Sequence, residues 1–206
     1  MTSESAGPDG ERGRGIRLAP EYPIRTARLL LRPITIDDAT AMHAYKSVPD
    51  VVRYVPYAPL ELADVERRIA TTWSNTRFAQ QGDAVCLAVE EQTTGELIGD
   101  VVLFWRSEAD RAGEVGYIFD PRFTGRGYAT EAVAALLALG FDGLGLHRIS
   151  ARIDERNTAS ARVVERLGFR QEARLVDSEW FKGEWSTLLI FGLLEDEWRA
   201  SDAVEV

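Results

Sequence analysis

The residues with the most evident chemical use lie between Asp120 and Glu131, where the chain reads Asp-Pro-Arg-Phe-Thr-Gly-Arg-Gly-Tyr-Ala-Thr-Glu. A strand-like run, Glu114 to Phe119 (EVGYIF), ends at Asp120-Pro121, and alanines and leucines at helical spacing follow from Gly127 to Gly140. Gly125 and Gly127, placed around one residue, let successive backbone N–H groups turn toward a common point. The unpaired N–H groups of a helix start add to them, which makes an anion site. Arg122 and Arg126 supply positive charge beside it. The plainer reading of the same residues is a glycine turn joining strand to helix. Two other phosphate sites are excluded. A P-loop needs Gly-Lys-Ser/Thr, and here Arg126-Gly127 follows Gly125; a dinucleotide fingerprint needs a small third residue where Thr130 stands, on the first strand of a parallel unit.

Metal and redox chemistry find little material. Cys86 is the only cysteine and the histidines are His43 and His147, so no metal-ligand spacing exists and no metal is expected. A cysteine nucleophile is also disfavoured: Cys86 lies inside the apolar run Ala84 to Val89 with no histidine near it in sequence. The net charge of −9 argues against nucleic acid or anionic membrane as partner and agrees better with a cationic one, although an acidic surface is also simply a soluble one. No apolar run approaches the roughly 20 residues that span a bilayer. The N-terminus is polar with no hydrophobic segment behind it, so a cytoplasmic protein is expected.

The elements that must position the loop follow from pattern. Residues 1–22, with glycines, prolines and many charges, read as a flexible arm, residues 23–200 as a single domain, and 201–206 as a tail. Ala27 to Ile34 predicts a first strand, and Thr35 with Asp38 a capping box that opens a helix. Asp64 to Gln80 predicts a second helix. Ala84 to Glu90, Glu96 to Trp105 and Glu114 to Phe119 form a meander, its turns at Thr93 to Glu96 and Ala109 to Gly113. His147 to Ile153 is a strand and Thr158 to Leu167 a helix ended by Gly168; Phe169 to Val176 and Trp185 to Leu194 make an antiparallel pair. Strands and helices mix without strict alternation. The fold class is therefore α+β with a mainly antiparallel sheet of six to seven strands and about four helices.

On these residues the chain resembles the GNAT acetyltransferase superfamily. Arg122 to Gly127 matches its acyl-CoA pyrophosphate motif, R/Q-x-x-G-x-G/A, while RLLLRP (Arg28 to Pro33), EVGYIFDP (Glu114 to Pro121) and NTASARVVERLGF (Asn157 to Phe169) look like its RimJ/RimL-type branch. The resemblance runs from about Thr26 to Arg199. It implies a twisted sheet whose central strands splay, with acetyl-CoA as cosubstrate. Ile118, Phe119 and Asp120 would line the pantetheine arm, and Phe123, Thr124, Gly125, Arg126, Gly127, Tyr128 and Ala129, with Arg122, would hold the pyrophosphate. Family members are often dimers, which makes a homodimer one possible state; the oligomeric state stays open.

Acetyl transfer to an amine needs a neutral nitrogen, a polarised carbonyl and a proton for the departing thiolate. Glu114 is the leading general base, because it opens the strand that enters the phosphate loop and shares a face with Gly116 and Ile118; an exposed strand-end glutamate is its plainer reading, and Asp154 and Glu155 are alternatives. Many family members place a tyrosine where Val164 stands. By resemblance Ser160 would instead protonate the sulfur and Asn157 would bond the CoA arm, although Asn157 also fits a helix cap. The aromatic- and proline-rich Tyr54 to Pro59 reads as a loop shaping the site of the acceptor, a small amine or a protein N-terminus; Trp73, Trp105, Trp180, Phe181 and Trp185 are candidates for further walls, the plainer reading of each aromatic alone being a core position. Gly183-Glu184-Trp185 lacks the acidic residue that often follows in that branch. The reaction is expected to be direct attack in a ternary complex. The alternative is a noncatalytic acyl-CoA-binding sensor, which would need the phosphate loop but none of Glu114, Asn157 and Ser160.

Overall fold

In β3 (Ala84–Glu91), Val85, Leu87 and Val89 enter one apolar core while Cys86 and Ala88 enter another. A strand covered on both faces reads as an unbroken apolar run, which is the AVCLAV of the sequence. The computed structural model describes residues 18–202. Along them come β1 (Ile24–Arg25), β2 (Leu29–Pro33), α1 (Ala39–Lys46), α2 (Leu62–Arg68), β3, β4 (Leu97–Ser107), β5 (Ala112–Phe119), α3 (Tyr128–Ala138), β6 (Arg148–Asp154), α4 (Thr158–Arg166), β7 (Arg170–Phe181), β8 (Glu184–Leu194) and α5 (Glu195–Asp202).

The strands form one sheet in the order β1-β2-β3-β4-β5-β6-β8-β7. Every pair is antiparallel except β5–β6, which is parallel. Met42 and Tyr45 of α1 and Val65 of α2 bury one face of the sheet; Leu136 of α3, Val164 of α4 and Trp198 of α5 bury the other. Each fully buried Leu, such as Leu29, Leu31 or Leu87, contributes about 1.5–3 kcal/mol against exposure. No helix among the described residues is long and apolar enough to cross a membrane.

The α+β class and mainly antiparallel sheet agree with the sequence pattern, with eight strands and five α-helices among the described residues. β1 is two residues long, below any periodicity signal, and α5 carries mostly charged residues. The second helix is shorter than its pattern: α2 ends at Arg68 and a wide turn runs over Ile69–Trp73. Thr71 and Thr72 bond back to the carbonyls of Arg67 and Arg68 (2.8 and 3.1 Å), and the Asn75 amide bonds the Arg77 and Ala84 carbonyls, so local side chains compete with the helix ladder. The capping box forms as expected, with Thr35 N donating to Asp38 (2.8 Å), but it opens a short 3-10 turn ahead of α1. Lys182 and Gly183, both at positive φ, make the two-residue turn between β7 and β8. Of the expected N-terminal arm, residues 1–17 lie outside the described residues; Leu18 pairs with Phe78, and the Tyr22 hydroxyl donates to Thr76 O (3.0 Å). Of the expected tail, 203–206 also lie outside, and α5 continues to Asp202.

Candidate active site

The parallel strands β5 and β6 share only the pairs Ala112–Arg148, Gly113–Ile149 and Glu114–Ser150. Beyond Glu114 they part, β5 staying with β4 as far as Gly99–Phe119 and β6 staying with β8 as far as Asp154–Leu188. Among the described residues the inner edge of β5 past Glu114 has no strand partner. From Glu114 to Phe119 that edge runs about 17 Å at the rise of an extended strand. The gap opens into a cleft of about 1230 Å³.

The glycine loop stands at the wide end. Asp120 caps a 3-10 turn over Pro121–Phe123 by accepting from Arg122 N (2.9 Å). Gly125 and Gly127 have φ of +76° and +80°, and Gly127 is the N-cap of α3. Those angles are what glycine supplies; a Cβ at Gly125 would meet no atom within 4 Å, so open space lies beside it. The bond from Glu131 N to Gly127 O (3.1 Å) opens the helix ladder, leaving the amides of Tyr128, Ala129 and Thr130 ahead of it. Arg28 clamps the loop: its guanidinium donates to Arg126 O (2.9 Å) and Glu131 (2.7 Å) and lies 4.7 Å from the Tyr128 ring centroid. That role was invisible in sequence, where Arg28 is one basic residue in a strand-like run.

Ile118, Phe119, Phe123, Thr124, Gly125, Gly127, Tyr128, Ala129, Asn157 and Ser160 line the cleft, together with Glu114; Asp120, Arg122 and Arg126 do not. Arg122 spends its charge on Asp120 (2.8 and 3.0 Å), and the Asp120 N–H donates to Ile98 O (2.9 Å). Burial alone would raise the Asp120 carboxyl, but the Arg122 hydrogen bonds hold it below the usual carboxylate range.

Glu114 sits where the strands part. Its side chain is 18% exposed, and Arg106 holds both oxygens (3.1 Å each), so it is neither free in solvent nor unpaired. The alternatives are held by closer ion pairs. Asp154 is held by Arg156 (2.6 and 2.8 Å) and the Ser186 hydroxyl (2.7 Å), with the Arg156 hydrogen bonds foremost in lowering it from 3.8 to about 2. Glu155 pairs with Arg174 (2.7 Å). Asn157 accepts from Ser160 N (3.2 Å) and so caps α4, while the Tyr117 hydroxyl crosses from β5 to donate to Ser160 O (2.9 Å). Burial pushes that hydroxyl up to about 12. Val164 is fully buried in the core, so the phenol nearest Ser160 comes from the strand and not from the helix.

The opposite half of the cleft contains a buried polar knot. Lys46 Nζ lies 2.7 Å from Asp100 and 3.2 Å from the Tyr57 hydroxyl, and Asp100 also accepts from the Tyr45 hydroxyl (2.6 Å). Burial would lower the Lys46 ammonium, yet the Asp100 carboxylate holds it above its ordinary value. Burial, then the Asp100 charge, push the Cys86 thiol well above its usual range, so it stays protonated and poorly nucleophilic. Tyr54, Pro56, Tyr57 and Trp73 wall this half as expected. The other candidate aromatics do not. Trp105 lies on the core face of β4 and is 1% exposed, Trp180 and Trp185 stack edge-to-face on the outside of the β7–β8 hairpin, and Phe181 lines a smaller neighbouring hollow. Alternation along the strands decides this, and aromatic composition cannot.

Comparison with known proteins agrees with this geometry. Residues 28–170 match the acetyltransferase (GNAT) domain model. The chain is 30% identical over 176 residues, 85% of this chain and 99% of the relative, to a Bacillus subtilis (strain 168) protein described as the uncharacterized N-acetyltransferase YnaD. It is 26% identical over 174 residues, 82% of this chain and 88% of the relative, to the spermidine N(1)-acetyltransferase of Escherichia coli (strain K12). The GNAT-family acetyltransferase structure from Bacillus anthracis superposes with a TM-score of 0.75 at 30% identity, covering 84% of this chain and 98% of that one. The chain belongs to the GNAT acetyltransferase family. It is an N-acetyltransferase by class, and enzymes of this family take the acetyl group from acetyl-CoA.

Proposed function

We propose that this enzyme acetylates a primary amine, on a small molecule or a protein N-terminus, by direct attack within a ternary complex, and that it sits in the RimJ/RimL-type branch. The observation that carries the reading is the parting of β5 and β6 at Glu114, with the Gly125–Gly127 loop at the wide end of the same gap. The cleft wall fits the cosubstrate: the unpaired β5 edge offers backbone partners to an extended amide-bearing arm, and the amides ahead of the α3 ladder suit a diphosphate. Acetyl-CoA supplies the activated acyl group.

The chain's own residues then manage protons. An alkylammonium with a pKa of about 10 must lose one before it attacks. Glu114 accepts it, directly or through water, because each of its oxygens keeps a second lone pair beyond the Arg106 bond. The amine nitrogen bonds to the acetyl carbon and gives up a second proton to solvent as the amide forms, the carbon–sulfur bond breaks with its electron pair on sulfur, and Ser160 gives the thiolate a proton that solvent replaces. Asn157 fixes the turn that carries Ser160.

Thiol release from acetyl-CoA with a panel of amines tests the scheme. Glu114→Gln should lower kcat by about 100- to 10,000-fold, the range of general acid–base contributions. CoA affinity should stay near wild type, and the rate should climb more steeply with pH. An unaltered rate at neutral pH removes Glu114 from the mechanism. Tight CoA binding without turnover of any amine points instead to an acyl-CoA-binding sensor.

A further inference from the structure

We infer that the acceptor amine also carries a carboxylate, and that Arg68, the last residue of α2, reads it. The inference rests on the cleft being the acetyl-transfer site and names the acceptor's class. Arg68 is half-buried on the cleft wall, its guanidinium carbon 5.1 Å from the Tyr57 ring centroid and 5.7 Å from that of Trp73. Lys46 lies against the same two rings, 4.7 Å from Trp73 and 5.7 Å from Tyr57. Only one of these two cations has an ion pair: Asp100 is committed to Lys46, and among the described residues no carboxylate is in ion-pair contact with Arg68.

The carboxylates around Arg68 do not change that balance. Asp64, one turn back on α2, feels the Arg68 charge, but its hydrogen bond and ion pair go to Arg67. Glu114 is held by Arg106, Asp154 by Arg156, and Asp83 accepts the amides of Ala79 and Gln80 (2.7 and 3.0 Å). Asp50 is the remaining acid of the wall, and it is exposed. A polyamine would find one free carboxylate in this wall. An amino carboxylate would find a guanidinium already held beside two aromatic rings, with donors for a two-point hydrogen bond. The chain's net charge of −9 therefore does not extend into the acceptor half of the cleft, and the cationic acceptor suggested by bulk charge gives way to a zwitterionic one.

The test compares L-α-amino acids, and ω-amino acids of increasing length, each beside its own carboxamide, with spermidine as the carboxylate-free polycation. Wild type should favour the carboxylate over its carboxamide by about 10- to 100-fold in kcat/KM, expressed mainly in KM, the range of a charge-assisted pair. In Arg68→Gln, which keeps the stem packed on Tyr57 and Trp73, that ratio should fall to about 1. Calorimetric binding of the N-acetylated product in the presence of CoA should weaken by the same factor without any turnover. Preference for carboxamides or spermidine, or a ratio that survives in Arg68→Gln, overturns the inference while leaving amine acetylation intact. CoA binding with no amine acetylated at all takes down the transfer reading as well, so the two failures are distinguishable.

Discussion

Replacing Lys46 by Met should destabilise the fold by about 3–5 kcal/mol, most of it from the carboxylate left behind. Lys46 and Asp100 are 1% and 9% exposed at the side chain and 2.7 Å apart. Without the ammonium, Asp100 keeps the Tyr45 hydroxyl at 2.6 Å and the weak Cys86 thiol at 3.8 Å, both neutral donors. Met preserves an unbranched stem against Trp73, so the change isolates charge from packing. For a chain of this length each kcal/mol moves Tm by about 2–4 °C, giving a loss of roughly 6–20 °C. Adding Asp100→Asn to Lys46→Met keeps an acceptor for Tyr45 and removes the orphaned charge, so the double variant should be more stable than Lys46→Met alone. Urea unfolding of the two single variants and the double completes the cycle. A loss below about 1 kcal/mol for Lys46→Met, or a double variant as unstable as the sum of its singles, would refute the reasoning and show that water entering from the cleft solvates Asp100.

Gly125→Glu should abolish measurable CoA binding by calorimetry, because it places negative charge where the diphosphate is proposed to lie; Gly125→Ala, which carries the strain of φ +76° without charge, should bind far better, and equal loss in both would assign the effect to backbone alone. The Asp154 carboxyl, lowered to about 2 chiefly by Arg156, contributes stability above the ordinary carboxylate value of 3.8, and that contribution is lost as pH falls through about 2. Asp154→Asn should therefore flatten the acid limb of stability against pH in denaturant titrations, and parallel limbs would show that Asp154 titrates alike in folded and unfolded chains.

Much of the framework was legible because strand and helix periods differ. The meander of β3, β4 and β5 and the helix after the glycine loop could be placed from alternation and punctuation alone, and Glu114 fell close to the start of β5, where its pairing with β6 ends. What stayed hidden was the choice of partner for each charged side chain, near or far along the chain. Nothing local tells that Arg122 would turn to Asp120, that Arg106 would grip Glu114, or that Arg28 would clamp a loop about a hundred residues away. The knot of Lys46, Asp100, Tyr45 and Tyr57 joins α1, β4 and a loop; of its members only Tyr57 reads as near the acceptor, and nothing local ties it to Lys46, Asp100 or Tyr45. Whether Trp105, Trp180 and Trp185 wall the cleft could not be read for a related reason: ring chemistry is the same on either face of a strand, and the face is decided by register.

The three rungs between β5 and β6 have a mechanical meaning. They are the narrow waist joining a five-stranded half-sheet to a three-stranded one. An acyl carrier lying in the cleft would knit those halves together along β5, so cosubstrate binding should act as a brace as well as a delivery. The waist is also tightly fitted: a methyl added at Gly113 would stand 2.6 Å from Leu146 Cδ1, and Ser150 Oγ donates to Gly113 O (3.2 Å). Small losses of fit at this joint would first tilt one half of the molecule against the other and spoil the aim of Glu114, well before either half came apart.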